Sequence, residues 1–224
     1  MPTKLERLLE QLEASGGPVE SPSSDGWELV LRENVGYLVD DEARDSAMTR
    51  LRRATRLDPA RILAAPDEVL ATVVIGMRPV DRIERLRRCA ELRLAGAPWK
   101  AYPGIGRPGV ERIELFSGRR AVLALESNGA RTLVRLGYGA VGRSYDATYR
   151  SVQAAAAAEL KPSVEVLRRA HLLLRHHGQV VCRRIAPHCG ECPVASRCPA
   201  AASGLPIGDP FATKGDPLHP AAPE

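Results

Sequence analysis

"VCRRIAPHCGECPVASRCPA", residues 181–200, holds four of the chain's five cysteines. They are spaced Cys182-x6-Cys189-x2-Cys192-x5-Cys198 in a basic, proline-marked loop. Four thiolates this close along a chain can surround one inorganic centre, either a tetrahedral zinc or a cubane iron–sulfur cluster. Structural zinc sites usually draw on two close cysteine pairs. Here only Cys189 and Cys192 are that close, and the wider spacing suits a cubane, whose iron corners lie farther apart than four bonds to one ion. Four unrelated core cysteines are the bland alternative. The fifth, Cys89, falls on an apolar stripe and reads as a small core residue.

The surroundings of the loop are basic. Residues 161–200 carry seven Lys or Arg against two Glu, which accounts for the whole net charge of +5, and four of the five histidines lie there too. A locally basic face points to a polyanion, most often nucleic acid; a solvated arginine-rich surface is the competing reading. No apolar run approaches the roughly 20 residues of a membrane helix, and the N-terminus lacks a signal-peptide apolar region. A cytoplasmic protein is therefore expected, where structural disulfides are rare and clustered cysteines are read first as metal ligands.

Few aromatics and many Ala, Leu and Arg favour helices over strands. Thr3-x-x-Glu6 ahead of Leu8, Leu9 and Leu12 is a capping box opening a short amphipathic helix that Gly16-Gly17 stops, and 18–25 reads as a linker. Helices are expected over 27–39, from Asp40 or Asp41 to about Arg56, after Asp58-Pro59, after Pro66-Asp67, over 79–94, and near 109–117, 126–137 and 163–177. No sustained period-2 pattern marks a strand. From about 202 the chain is Gly, Pro and Ala without periodicity, and a disordered tail is expected.

A second stretch, "YPGIGRPGVERIELFSG" (102–118), places Gly104-x-Gly106 between helical segments. Two glycines allow a tight turn with positive φ. The N–H groups of Gly104, Ile105, Gly106 and Arg107 would then point outward at a helix start, where the dipole favours an anion such as a DNA phosphate.

Together the cysteine spacing and this turn resemble the endonuclease III-like DNA glycosylases, whose C-x6-C-x2-C-x5-C signature binds a [4Fe-4S] cluster. The flanks agree: His177-Gly178 upstream, Pro187, and Cys192-Pro193. "WELVLRENVGYLVDD" (27–41), "GMRPVDRIERLRRCAEL" (76–92) and "LESNGARTLVRLG" (125–137) extend the resemblance over roughly residues 22–200. It implies an all-α, two-lobed helix-hairpin-helix fold. Residues 22–134 would form a six-helix barrel lobe with the hairpin. Residues 1–21 plus 135–201 would form the [4Fe-4S] cluster lobe, with 202–224 as the disordered tail. Cys182, Cys189, Cys192 and Cys198 would hold the cluster, and Arg183, Arg184, His188 and Arg197 would face the phosphates of double-stranded DNA. A monomer, cytoplasmic and nucleoid-associated, is implied.

The resemblance also sets the expected chemistry. Strand-cutting relatives carry a lysine two residues after the second hairpin glycine, whose amine forms a Schiff base with the sugar. Here that residue is Pro108, Lys100 lies before the turn, and no lysine-dependent lyase activity is expected. The family's catalytic aspartate stands eighteen residues beyond that lysine, a place held here by Glu126, one methylene longer. A carboxylate there would stabilise a cationic sugar and steer water, or simply favour a helix start. Glu33 matches the glutamate that protonates the departing base in the adenine-excising branch; a surface glutamate is the alternative. The family's wedge residues are polar, whereas this chain has Tyr37-Leu38-Val39, with Leu38 a candidate apolar wedge. A monofunctional glycosylase, a catalytically weak DNA- or lesion-binding protein of the same fold, and a zinc protein without a DNA role are the three readings.

Overall fold

The computed structural model describes residues 1–16, 21–203 and 211. The expected tail therefore lies almost wholly outside the described residues, as do 18–20 of the expected linker. The chain folds into two compact units, one internal (Pro22–Arg119) and one split (Met1–Ser21 with Arg120 onward). Among the described residues there are eleven α-helices and a single two-residue parallel bridge, so the fold is all-α.

The internal unit runs α2 (Gly26–Asn34), β1 (Gly36–Tyr37), α3 (Asp41–Thr55), α4 (Pro59–Ala64), α5 (Asp67–Ala71), β2 (Ile75–Gly76), α6 (Pro79–Leu94) and α7 (Arg107–Phe116). Its helix starts follow capping chemistry. Asp40 and Asp58 accept the N–H groups of Ala43 (2.7 Å) and Arg61 (2.8 Å), and Pro59 sits in the first turn of α4. α2 is shorter than the expected 27–39. The chain leaves the helix at Val35 so that Gly36 and Tyr37 can pair with Ile75 and Gly76, and Leu38 turns the backbone with φ +56°. Helix α2 packs on α6 and α7, burying Leu29, Val30, Leu31, Leu86, Ile113 and Phe116. Each such side chain, fully buried, stabilises by about 1.5–3 kcal/mol.

The split unit comprises α1 (Lys4–Gly16), α8 (Ser127–Arg135), α9 (Tyr145–Ala157), α10 (Val164–Val180) and the short α11 (Pro199–Ala202). The capping box forms as a reciprocal pair: Thr3 N–H donates to Glu6 Oε2 (2.8 Å) and Glu6 N–H to Thr3 Oγ1 (3.1 Å). Thr3 Oγ1 also donates to the Glu159 carbonyl at 2.8 Å, fastening α1 to the segment between α9 and α10. Leu5, Leu8, Leu9 and Leu12 are buried as α1 packs along α10. α8 also lies along α10, so closely that a side chain at Gly178 would stand 2.5 Å from the Asn128 carbonyl oxygen. This packing puts all of α8 in the split unit. The division falls at Arg119, not at the expected 134, because a boundary there would cut α8 in two.

Helix α9 had no counterpart in the expected elements. Its sequence, YDATYRSVQAAAA, is alanine-rich and carries only a thin apolar stripe, while Ser144 supplies the N-cap by accepting from Ala147 N–H at 3.2 Å.

Candidate functional site

In the split unit the last turn of α10 leads straight into the cysteine loop. Cys182 N–H donates to the His177 carbonyl (2.8 Å), and His188 N–H returns to Val181 O (2.9 Å). Two short 3-10 turns, Cys189–Glu191 and Ala195–Arg197, fold the rest of the loop, and Cys198 precedes the Pro199 that opens α11. All four cysteines are free of disulfides, half-buried, and line one open-mouthed cavity. Burial pushes the Cys189 thiol up, and negative charge on Cys182 and Cys198 adds to this. Cys192 is likewise raised by burial, opposed in part by the Val194 N–H. His177 is driven down to about 4 by burial, with a smaller contribution from His176, and its Nε2 stands 3.6 Å from the Cys192 sulfur. Among the described residues no three Cys, His, Asp or Glu side chains converge tightly enough for a single metal ion.

Two arginines one turn apart on α8 hold this loop. Arg131 is 3 % exposed and donates to the Gly178 carbonyl (2.7 Å), the Cys182 carbonyl (3.2 Å) and Asn128 Oδ1 (2.8 Å). Arg135, 5 % exposed, reaches the carbonyls of Cys182 (3.3 Å), Arg183 (2.6 Å) and Arg184 (3.1 Å), and the Cys182 sulfur at 3.4 Å. A loop that would otherwise bury bare carbonyls is satisfied by two guanidinium forks. Of the loop's own cations, Arg183 is exposed and Arg184 half-buried.

At the other end of α8, Glu126 is the N-cap. Its Oε1 accepts from Gly129 N–H (2.6 Å) and its Oε2 from Asn128 Nδ2 (2.7 Å). Asn128 in turn accepts from Arg131, so hydrogen bonds run unbroken from the Glu126 carboxylate to the Cys182 carbonyl. The carboxylate is half-buried.

In the internal unit, Gly104 adopts φ +74° and Gly106 is the N-cap of α7, with Pro108 in the helix's first turn. Ile105 turns inward and is buried, while Gly104, Gly106 and Arg107 are exposed. Among the described residues neither Gly104 N–H nor Gly106 N–H meets a protein acceptor. Asn34 of α2 anchors the turn by donating to the Pro103 carbonyl at 3.1 Å. Its neighbour Glu33 pairs with Arg112 of α7 at 2.5 Å. Glu33 thus stands beside the hairpin as one half of an ion pair. Tyr37 and Leu38 are both exposed, the former with the Arg82 guanidinium 4.9 Å from its ring centre.

No family model matches the sequence, and no curated protein matches it significantly. Solved structures do match. An endonuclease III–DNA covalent intermediate, trapped as an estranged-adenine complex, superposes with a TM-score of 0.72 at 16% identity, covering 89% of this chain and 96% of that one. A non-covalent endonuclease III–DNA complex gives 0.71 at 17% identity over 89% and 96%. The chain has the endonuclease III-like fold. A thermostable thymine-DNA glycosylase shares that fold with a TM-score of 0.68 at 16% identity, over 89% of this chain and 95% of that one. Within it, Asn128, Arg131 and Arg135 are the residues that sequence reasoning passed over. Arginines three and four positions from their neighbours on a short helix read as a solvated face. The one available signal was the run of carbonyls the loop must satisfy.

Proposed function

We propose that this chain is a monofunctional DNA glycosylase acting in base-excision repair. It would take one damaged or mispaired nucleotide out of double-stranded DNA and hydrolyse its N-glycosidic bond, leaving the strand uncut. The observation that carries this reading is the placement of Glu126, an anchored, half-buried carboxylate capping α8 in a fold shared with DNA glycosylases. A carboxylate held by two donors still offers lone pairs to a water and an anion to a cationic sugar. Pro108 offers no amine to form a Schiff base, so the product would be an abasic site and a free base. Glu33 would protonate the departing base only after giving up its contact with Arg112.

The donor set would suit a [4Fe-4S] cluster: four half-buried thiols line one cavity. Cys182, Cys189, Cys192 and Cys198 would hold it. Once bound, such a cluster cross-links the loop into one rigid element. The loop then presents Arg183 and Arg184 to phosphates, and the hairpin offers the Gly104 and Gly106 N–H groups at the positive end of α7. A DNA-bound monomer at the nucleoid is the implied setting.

The test is single-turnover excision on duplexes bearing a panel of lesions and mispairs. Wild-type protein should give alkali-labile sites without spontaneous nicks, and Glu126→Gln should not. A second reading, a DNA-binding protein with little catalysis, draws on the Glu33–Arg112 pair and on the engagement of both Glu126 oxygens. No alkali-labile product on any duplex, with tight DNA binding intact, would establish that reading instead. Iron and sulfide analysis, with absorbance near about 400 nm, decides the cluster against zinc.

A further inference from the structure

The internal unit holds two arginines that no carboxylate neutralises. Arg82 and Arg85 lie three residues apart on α6, so their side chains leave the same face of the helix. Arg82 is only 5 % exposed, and its Nε–H is buried without an acceptor. Its acidic neighbour Asp81 pairs with Arg78 instead, at 2.5 Å. Among the described residues neither Arg82 nor Arg85 has a salt bridge to a carboxylate. Burial, and then the like charge of Arg85, lower the Arg82 pKa, and Tyr37 and Asp81 offset this only in part. A buried arginine is ordinarily paired, and one without a partner is carried by the fold at a cost.

The surroundings of the pair are the end of α2 and the hairpin. Tyr37, just beyond α2, has its ring centre 4.9 Å from the Arg82 guanidinium carbon. A ring over one flat face leaves the in-plane N–H groups for an acceptor. Arg85 Nη1 stands 3.8 Å from the point where a side chain on Gly104 would begin, and Asn34 Oδ1 stands 3.5 Å from the same point. That Asn34 oxygen is itself buried without a donor, a neutral acceptor beside the Arg85 guanidinium. Gly104 is exposed at φ +74°, and among the described residues its N–H meets no protein acceptor. Two guanidinium groups and a backbone N–H thus share one corner of the unit with no protein anion to receive them.

We propose that Arg82 and Arg85 form an oxyanion site beside the hairpin that takes one phosphate of a DNA duplex. Arg82 supplies a two-pronged fork backed by the Tyr37 ring. Arg85 supplies a second positive charge, steadied by Asn34 Oδ1, and Gly104 supplies its N–H. The hairpin amides alone would hold a phosphate without any side chain. These two arginines add charge and direction, and the partner that Arg82 lacks in the free protein arrives with the ligand. The proposal rests on the DNA glycosylase reading only for the source of the phosphate.

The experiment has two arms on the full chain. In the first, arginine Nε–Hε and backbone amide signals are followed by proton–nitrogen NMR as inorganic phosphate replaces chloride at constant ionic strength. The signals of Arg82, Arg85 and Gly104 should shift together and saturate. An unmoved Arg82 signal overturns the site. In the second, melting temperature and affinity for an undamaged duplex are compared for wild type, Arg82→Met, Arg82→Lys and Arg85→Gln. Arg82→Met keeps an unbranched side chain and removes an unpaired buried cation, so it should melt no earlier than wild type. Its dissociation constant for the duplex should nonetheless rise about tenfold. Arg82→Lys restores the charge without the fork and should recover only part of that affinity. A purely structural arginine behaves the other way: Arg82→Met that melts earlier yet binds the duplex as wild type does overturns the proposal and leaves the DNA reading standing. Should Arg82→Met fail to fold, Arg85→Gln decides, since unchanged duplex affinity in that variant also overturns the site. Wild-type protein that binds no duplex would overturn DNA as the source of the phosphate, and the titration with inorganic phosphate would still decide the oxyanion site.

Discussion

Glu126 caps α8 and is proposed to act as the catalytic anion as well, and substitution can separate the two roles. As the N-cap of α8 it satisfies the Gly129 N–H, a task that serine, aspartate or asparagine usually performs. As the proposed catalytic anion it must carry charge at a set point in space. Glu126→Ala should lose both, costing about 1 kcal/mol in chemical denaturation and lowering single-turnover excision by about 10²–10³-fold. Glu126→Ser should recover the stability and not the rate. A serine variant that also recovers excision would make the carboxylate a cap alone. Pro108 gives the complementary experiment at the hairpin. Pro108→Lys places an amine in the first turn of α7, and borohydride should then trap a covalent complex with abasic DNA; no trapping means that C1′ is not held near this residue. Both were legible in the sequence as helix-start residues, and the structure has them there. The partners that orient Glu126 were not. Asn128 is a small polar residue in the first turn of α8, and nothing in its spacing says that it faces a carboxylate.

At the scale of the element, α8 matters more than its nine residues suggest. Glu126 caps its start and Arg135 ends it, so one helix joins the carboxylate to the cysteine loop. Arg135 donates to three successive loop carbonyls and shares the first, that of Cys182, with Arg131. Arg135→Met should therefore leave buried acceptors bare and cost about 3 kcal/mol, read as an earlier unfolding midpoint. It should also raise hydrogen exchange at residues 182–184, where those carbonyls lie. A shift below about 0.5 kcal/mol would mean that the loop finds other donors. Cap chemistry made most helices readable in advance: Thr3–Glu6, Asp40 and Asp58 all act as their sequence context says. Two things escaped. α9 hides because alanine gives helix propensity without amphipathic contrast, and its burial depends on tyrosines that read equally well as surface. The end of α2 was misplaced because Val35-Gly36-Tyr37 leaves the helix for a partner nearly forty residues away, a pairing no local pattern announces.

For the molecule as a whole, the two proposed phosphate-binding features belong to different units. The hairpin with Arg107 lies in the internal unit, and the cysteine loop with Arg183 and Arg184 lies in the split unit. If both hold one duplex, their electrostatic contributions should add. Each phosphate neutralised by a side chain releases counterions and contributes about −0.9 to the slope of log affinity against log salt. Three such arginine contacts correspond to a slope of about −2.7, before any backbone N–H contribution. Replacing Arg107 by serine should reduce the slope's magnitude by about 0.9, replacing Arg183 and Arg184 together by about 1.8, and the triple variant by the sum. Fluorescence anisotropy on an undamaged duplex across a salt series measures this without any excision. Additivity would show both units on the same DNA. A triple variant no flatter than the loop double variant would confine the contact to the cysteine loop, and a wild-type slope near zero would remove the phosphate-tracking surface altogether.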